Sequence, residues 1–494
     1  MKLYNSLTNE YFNLENIKNI TINWYCCGPT IYNDSHLGHA RTYIMFDSMI
    51  RFLRHQDYTI NYGMNITDID DKIINKVNQL FVKNNISLTK DALYRNFIKT
   101  QEQSFWDDLT ALNVDKPNQI LRVTDTIPDL IDFIDVLINK KFAYVGTSDS
   151  NNKSIYFDVQ TYSSQFNKTK LDMGNENDIQ IKNTHIEDKN DAKDFALWKA
   201  VKPGEISWDS GKLNLGIGRP GWHIECSVMM NKMFGNQVDI HSGGIDLKYP
   251  HHHNEFCQTT SYYSDPKWIK CFVHSGHLHI DGEKMSQSLG NFITIKKFLE
   301  LYSPNEIRLM FLSVKYNQQM DLNDQIIKYG QSMNKRFSNF INNLDYHIKN
   351  SNSSSLNYFD ITKLNDDLVQ VLNNDFDTPE ALKLLSQSID QINKTNFEYN
   401  NLDQIKLLFS TFLSGLGLVY QKVENENWSD NYNQIIETII EIRKEIKQLA
   451  LTADKPTKVN LFKLSDKIRD QYMPNLKIKL EDLPDNKVKW YVNK

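Results

Sequence analysis

Cysteine is scarce. Five residues in 494 (Cys26, Cys27, Cys226, Cys257 and Cys271), odd in number and unevenly spaced, exclude a disulfide framework and leave reduced thiols for metal or packing. No run of about 18 apolar residues occurs, so no membrane span is expected. The start, Met1-Lys2-Leu3-Tyr4-Asn5, lacks the charged-then-apolar pattern of a secretory signal, which makes the cytoplasm the default location. A global basic excess is missing too: with a net charge of -5 and a pI near 6.2, any nucleic-acid partner must be met by a local patch. Glycine (19) and proline (12) are few beside abundant Asn, Ile and Lys, a pattern read as coding bias. The 40% hydrophobic and 24% charged residues that are present suffice for roughly three or more domains with real cores.

The β-prone run Thr21 to Cys27 ends in Gly28-Pro29, and Ala40 to Arg54 spaces Ile44, Met45, Met49, Phe52 and Leu53 as a helix does. Tyr58 to Met64 reads as a second strand, followed by the capping residues of Asn65 to Asp71 and a helix from near Lys72. Alternating strands and helices imply a parallel sheet. A long amphipathic helix spans Ser87 to Leu112, whereas Ser163 to Asn190 reads as a polar, loop-rich insertion. His277 to Lys284 reads as a strand entering an Asp281-Gly282 turn. Beyond Gln325 helical periodicity dominates, broken by the linker-like Asn350 to Ser355. Thr378 is the expected N-cap of a helix with Pro379 at its first position. The tail from Lys455 to Lys494 holds ten Lys/Arg against five Asp/Glu, a local basic module.

Three constellations carry chemistry. His251-x-x-x-Glu255 puts an imidazole and a carboxylate one helical turn apart, suited to an ion or to a solvated helix face beside packed His252 and His253. With Cys27 and Cys226 the set becomes two thiolates, an imidazole and a carboxylate, donors that suit Zn²⁺. In His36-Leu37-Gly38-His39 the glycine admits a nucleotide backbone closely and the imidazoles can donate to phosphate oxygens; the competing reading is a pair of capping or core histidines. Lys284 to Asn291 is a basic loop or a surface turn.

In this order and at these separations the motifs resemble those of the cysteinyl-tRNA synthetases, a family of class I aminoacyl-tRNA synthetases. The resemblance rests on Cys27-Gly28-Pro29-Thr30, the His36-to-His39 signature, Asn65-Ile66-Thr67-Asp68-Ile69-Asp70-Asp71-Lys72, Asp194-Phe195-Ala196-Leu197-Trp198-Lys199, Gly221-Trp222-His223-Ile224-Glu225-Cys226-Ser227 and Pro250-His251-His252-x-Asn254-Glu255. It runs essentially end to end, since Ile468-Arg469-Asp470 and Leu480-Glu481-Asp482-x-Pro484 to Trp490 are similar to the family's C-terminal module.

The resemblance implies an α/β fold with a Rossmann-type parallel-sheet catalytic domain split by an insertion, then a helical bundle and a small C-terminal module. The implied segments are the first catalytic half over 1–118, a connective insertion over 119–215, the second half with the Lys284 loop over 216–324, an anticodon-binding bundle over 325–450 and a basic anticodon-recognition module over 451–494. The implied activity is ATP-dependent activation of L-cysteine, with Mg²⁺, and its transfer to tRNA(Cys) by a monomer. Cys27, Cys226, His251 and Glu255 would bind one zinc that takes the substrate thiolate. His36, His39 and Lys284 would be catalytic. Gly38, Gly243, Gly244, Asp246, Lys284 and Gln287 would meet ATP, and Thr67, Trp222 and His241 would surround the amino acid. Trp490 would stack on an anticodon base or pack on the bundle.

Two departures stand out: Ser242 where the family usually has a third glycine, and Gln287 where its signature loop has a second lysine. No editing domain is visible, as expected if a metal–thiolate bond separates cysteine from serine. Two rivals are a ligase joining activated cysteine to an amino sugar, opposed by the helices beyond Gln325 and the basic tail, and a silent tRNA-binding paralogue, opposed by the intact His36, His39, Asp246 and Lys284.

Overall fold

The computed structural model describes residues 1–16, 21–83, 89–147, 151–166, 188–285, 291–350, 357–420, 430–476, 478–484 and 488–492. Five of its strands, rich in β-branched and aromatic residues, build a parallel sheet: β1 (Thr21–Cys26), β2 (Thr59–Ile66), β3 (Gln119–Arg122), β4 (Val238–Gly244) and β5 (Ile269–Ser275). Their spatial order is β3-β2-β1-β4-β5. β1 is central, with Cys26 opposite Met64 of β2 and Ser242 of β4. The chain winds one way from β1 to β3 and the other way from β4 to β5, which opens a crevice beyond the carboxyl ends of β1 and β4. Cys27 leaves β1 at that edge.

Three helices border the crevice: α1 (Leu37–His55), α2 (Trp222–Phe234) and α3 (His253–Tyr263). α1 buries Leu37, Ala40, Ile44, Met45, Met49 and Leu53. Its middle is clamped by the buried Arg308, whose Nη2 donates to Asp47 Oδ2 at 2.6 Å while its other donors reach the carbonyls of Leu112, Asn113 and Leu416. The helix starts at Leu37, three residues before the apolar spacing becomes visible, because His36 caps it.

Between β3 and β4 lies a second sheet of five strands, ordered Ala143–Val145, Ile155–Phe157, Phe195–Ala200, Ile217–Pro220 and Trp208–Asp209, all antiparallel. The insertion is thus strand-built, and most of the polar stretch Ser163 to Asn190 falls outside the described residues. Both of its expected edges move by a few residues: Ile120 and Leu121 pair with β2, and Ile217–Pro220 pairs with Phe195–Ala200. Past the parallel sheet come Asp324–Asn350, Ile361–Asn373, Thr378–Lys394 and Leu402–Gly415, the expected helices. Thr378 is not the cap of its helix. Asp377 is, accepting from the Glu380 N–H, with Pro379 second in the helix, while the buried Thr378 hydroxyl donates to Leu312 O at 2.7 Å.

The chain divides into compact units at Val419/Tyr420, earlier than residue 450. The reason is the helix Asp430–Thr452, whose Ile436 and Ile440 join Met473, Ile478 and Leu480 in one cluster of the second unit. In that unit the almost fully buried Arg443 makes a bidentate pair with Asp482 at 2.6 and 2.7 Å, and Lys447 and Arg469 add further donors. These bonds, Arg443 first, hold the Asp482 carboxyl well below the usual carboxylate range. A depressed carboxylate stabilises the fold above its unfolded value and loses that contribution as pH falls. Asp482→Asn is therefore expected to lower the exchange protection of the paired strands Ile478–Asp482 and Val488–Val492 by about 1–2 kcal/mol at pH 7, with the deficit shrinking below about pH 4. Among the described residues no helix is long and apolar enough to cross a membrane.

Candidate active site

The crevice holds a cavity of about 550 Å³. On one side stands His36, whose extended backbone precedes α1. Its Nδ1 accepts from the Gly38 N–H (3.1 Å) and the His39 N–H (3.4 Å), and His39 Nδ1 accepts from the His36 N–H (3.4 Å). A ring nitrogen that accepts carries no proton, so each neutral imidazole keeps its proton on Nε2. The rings stack at 3.7 Å and 17°. Burial, against a weaker pull from Asp246, brings His36 down to about 4, and burial reinforced by His36 holds His39 well below the usual imidazole range. The His36-to-His39 segment is thus a reciprocal capping box that also presents two uncharged donors. A Cβ on Gly38 would lie 2.9 Å from the His36 ring, so the fold-back of that ring needs glycine.

Across the cavity, Gly244 ends β4 and Asp246 follows it, and a Cβ on Gly244 would come within 2.4 Å of Asp246 Oδ1. Gly243 turns toward His252 and Leu247. Ser242 lies inside β4, where its hydroxyl accepts from Trp24 Nε1 at 2.7 Å and donates to Tyr25 O at 3.3 Å. The hydroxyl therefore satisfies a buried indole, and the turn begins after it. Lys284 sits on the short strand Glu283–Lys284, joined to Leu278–Ile280 through Asp281 and Gly282 at φ of 49° and 84°, the expected turn. Gln287 lies outside the described residues.

The cavity floor is a buried polar cluster. Cys27 follows β1, Cys226 lies on α2, His251 lies in the helical turn Lys248–His252 that leads into α3, and Glu255 lies in the first turn of α3; one ligand atom from each falls within 4.8 Å of the others. Cys27 Sγ is 3.7 Å from Cys226 Sγ and 3.9 Å from Glu255 Oε1, which is 2.6 Å from His251 Nε2. Burial alone would raise Cys226, yet the hydrogen bond from Cys27 and the neighbouring His251 bring its thiol to about 6, while burial and Cys226 push Cys27 up. Burial opposes the charge on Glu255, but His251 and His241 hold its carboxyl well below the usual range. Two thiols, an imidazole and a carboxylate so enclosed have the chemistry of a zinc-binding donor set. Cys26 differs: burial raises its thiol to about 12, and it meets Ser242 and Tyr62. Cys257 and Cys271 are buried, and burial raises both thiols.

Thr67 and Trp222 line the cavity beside this floor. The Thr67 hydroxyl donates to Glu225 Oε2 at 3.3 Å and accepts from Asn65 Nδ2 at 3.2 Å. Trp222 is 36% exposed and stacks on His251 at 4.4 Å, so it is a wall of the cavity and not core packing. His241, expected beside the amino acid, is fully buried and does not line the cavity; its Nε2 is 2.5 Å from Glu255 Oε2.

His252, which the solvated-face alternative leaves to packing, has its Nε2 3.3 Å from Cys27 Sγ and its Nδ1 2.7 Å from His274 Nε2. Cys27, His241, His252 and Glu255 form a second group of converging ligand atoms. The two groups differ in access, since Cys27, Cys226 and His251 line the cavity whereas His241 and His252 do not. His223, whose Nδ1 is 3.1 Å from His251 Nδ1, was also missed. The run His251-His252-His253 and the Gly221-to-Ser227 motif that contains His223 are the sequence signals, and neither says which ring points where.

A family model described as the class I (C) tRNA synthetase catalytic domain matches residues 13–332. The cytoplasmic cysteine–tRNA ligase of Dictyostelium discoideum is 35% identical over 514 aligned positions, covering 96% of this chain and 75% of that protein. The cysteine–tRNA ligase of Methanococcus aeolicus is 37% identical over 501, covering 98% of each. Among solved structures, Mycobacterium tuberculosis methionyl-tRNA synthetase in complex with methionyl-adenylate is similar in fold, with a TM-score of 0.58 at 15% identity over 80% of this chain and 88% of that one. With most of its catalytic region matched and relatives aligned along nearly its whole length, the chain belongs to the cysteine–tRNA ligases, a family of class I aminoacyl-tRNA synthetases.

Proposed function

We propose that this enzyme activates L-cysteine with ATP and Mg²⁺ to cysteinyl-adenylate and then passes the cysteinyl group to the terminal ribose of tRNA(Cys), selecting the amino acid by its thiol. The observation that carries this reading is the juxtaposition, in one cavity, of the Cys27–Cys226–His251–Glu255 floor with the paired donors His36 and His39 and with Asp246. Zinc held by those four residues would supply a Lewis acid that accepts a thiolate far more readily than a hydroxyl.

The chain's own residues do the rest. Cys27, Cys226 and His251 keep the floor open to the cavity, while His241 and His252 orient Glu255 and Cys27 from behind. Trp222 closes the side and excludes water. Asp246 accepts from the ribose hydroxyls beside Gly244, and the Nε2–H groups of His36 and His39 donate to phosphate oxygens as charge shifts toward the leaving group. Lys284 supplies a cation from its loop. Cysteine-dependent exchange of pyrophosphate into ATP, combined with metal analysis of the purified enzyme, tests the reading; activation of serine at a comparable rate, or exchange indifferent to zinc removal, would refute it.

The loop carries Gln287 in place of a second lysine, and an amide offers only a neutral hydrogen bond. Gln287→Lys is expected to raise the exchange rate by about 3- to 10-fold. A flat or lower rate would mean that the loop is not short of charge.

A further inference from the structure

We propose that Lys72 is a catalytic residue of the activation step, its ammonium held over the face of Tyr32 at the exposed edge of the cavity to take the charge of the departing pyrophosphate. The inference rests on the reading of this cavity as a cysteine-activating centre. In that step a carboxylate oxygen of cysteine forms a bond to the α-phosphorus of ATP. The bond from that phosphorus to the oxygen bridging it to the β-phosphorus breaks, and its electron pair stays on that oxygen, so pyrophosphate leaves with one more negative charge and no proton moves.

Among the lining residues whose side chains the structure describes, a set that does not include Lys284, Lys72 is the one lysine or arginine. His36 and His39 cannot substitute for it, because burial keeps both rings uncharged at neutral pH. Lys72 is the second residue of the helix Asp71–Lys83, and Tyr32 lies on the loop that leads into His36. The two loops are strapped together by the Thr30–Thr67 bridge, by the Ile31 N–H donating to Thr67 O and by the Thr67 N–H donating to Pro29 O. Lys72 Nζ then sits 5.0 Å from the Tyr32 ring centroid. A ring face orients an ammonium without neutralising it.

The neighbouring carboxylates are engaged elsewhere. Asp71 pairs with Lys199 and Arg219, and Asp70 Oδ1 accepts the Lys72 backbone N–H at 2.8 Å. Among the described residues Lys72 makes no ion pair, so its charge is free to meet an anion. The acids that line the cavity, Asp34 and Asp246, make the polyphosphate harder to seat without such a cation. Gln287 withholds a second lysine from the signature loop, which increases the share that Lys72 must carry.

The test compares Lys72→Met, Lys72→Arg and Lys72→Met/Gln287→Lys in the full chain. Lys72→Met is expected to lower kcat for ATP–pyrophosphate exchange by about 10- to 100-fold and to weaken pyrophosphate binding, with the KM for cysteine unchanged. Single-turnover transfer from preformed cysteinyl-adenylate to tRNA should keep its rate. Lys72→Arg should recover most of the loss, and Gln287→Lys should gain more on the Lys72→Met background than on the unsubstituted enzyme, a charge compensation that a merely structural lysine would not produce. Normal exchange in Lys72→Met, or a loss confined to the transfer step, overturns the inference alone. Absence of cysteine-dependent exchange in the unsubstituted enzyme overturns the functional reading and the inference with it.

Discussion

Cys226→Ala is expected to raise the KM for cysteine by about 100-fold or more, to lower kcat less, and to abolish retention of the zinc proposed for the parent enzyme. The reason is geometric. Cys226 reaches the floor from α2 and lies 3.7 Å from Cys27, and its thiol, held to about 6, is the readier of the two to become a thiolate. Without it the remaining donors are one thiol, one imidazole and one carboxylate, and the carboxylate is already shared with two rings. Binding of the substrate thiolate should suffer before the chemistry does, since His36, His39 and Asp246 lie outside the cluster. Because Cys226 is buried, Cys226→Ser, nearly the same size, separates lost packing from lost ligation: both variants should show the same rise in KM. Intact cysteine affinity in either would end the account of recognition by zinc.

His39→Asn gives the opposite signature. Turnover in pyrophosphate exchange is expected to fall by about 100-fold to 1000-fold while the KM for cysteine stays near its parent value. The variant removes the Nε2–H donor and one half of the reciprocal cap with His36. The pH profile supplies an independent check. Both rings are held below the usual imidazole range, so neither is charged near neutral pH, and His36, at about 4, becomes charged only as pH falls through that value. The parent enzyme should therefore show no loss of kcat between about pH 8 and pH 6 that His36→Asn or His39→Asn abolishes. A bell whose acid limb near pH 6.5 vanishes in either variant would mean that a charged imidazole takes part.

Much of this site was legible because it is built from local rules. The strand ending at Cys26 and the Asp281-Gly282 turn depend on neighbours within a few residues and appear where periodicity and turn chemistry place them, and the helix after His39 differs only in starting three residues early, at Leu37, because His36 caps it. Where local rules compete they mislead. Thr378 and Asp377 both suit an N-cap, and the choice falls to Asp377 because the Thr378 hydroxyl finds a buried partner in Leu312 O, on a distant helix. Ser242 departs from a glycine pattern for a reason equally remote in sequence, the indole of Trp24.

By itself, then, the order of residues determined the donor types, the spacing of His251 and Glu255 on one helical face, the fold class and the family resemblance, all consequences of periodicity and of motifs read along the chain. Tertiary structure alone decided which donors meet. Cys27 and Cys226 are 199 residues apart, and nothing local brings them to 3.7 Å; the crevice between β1 and β4 does, by setting the end of one strand against α2 and α3. The same crevice sorts the three consecutive histidines: His251 faces the cavity, and His252 reaches Cys27 from behind. A side chain's direction depends on what packs around its helix, and that is fixed only when distant segments come together.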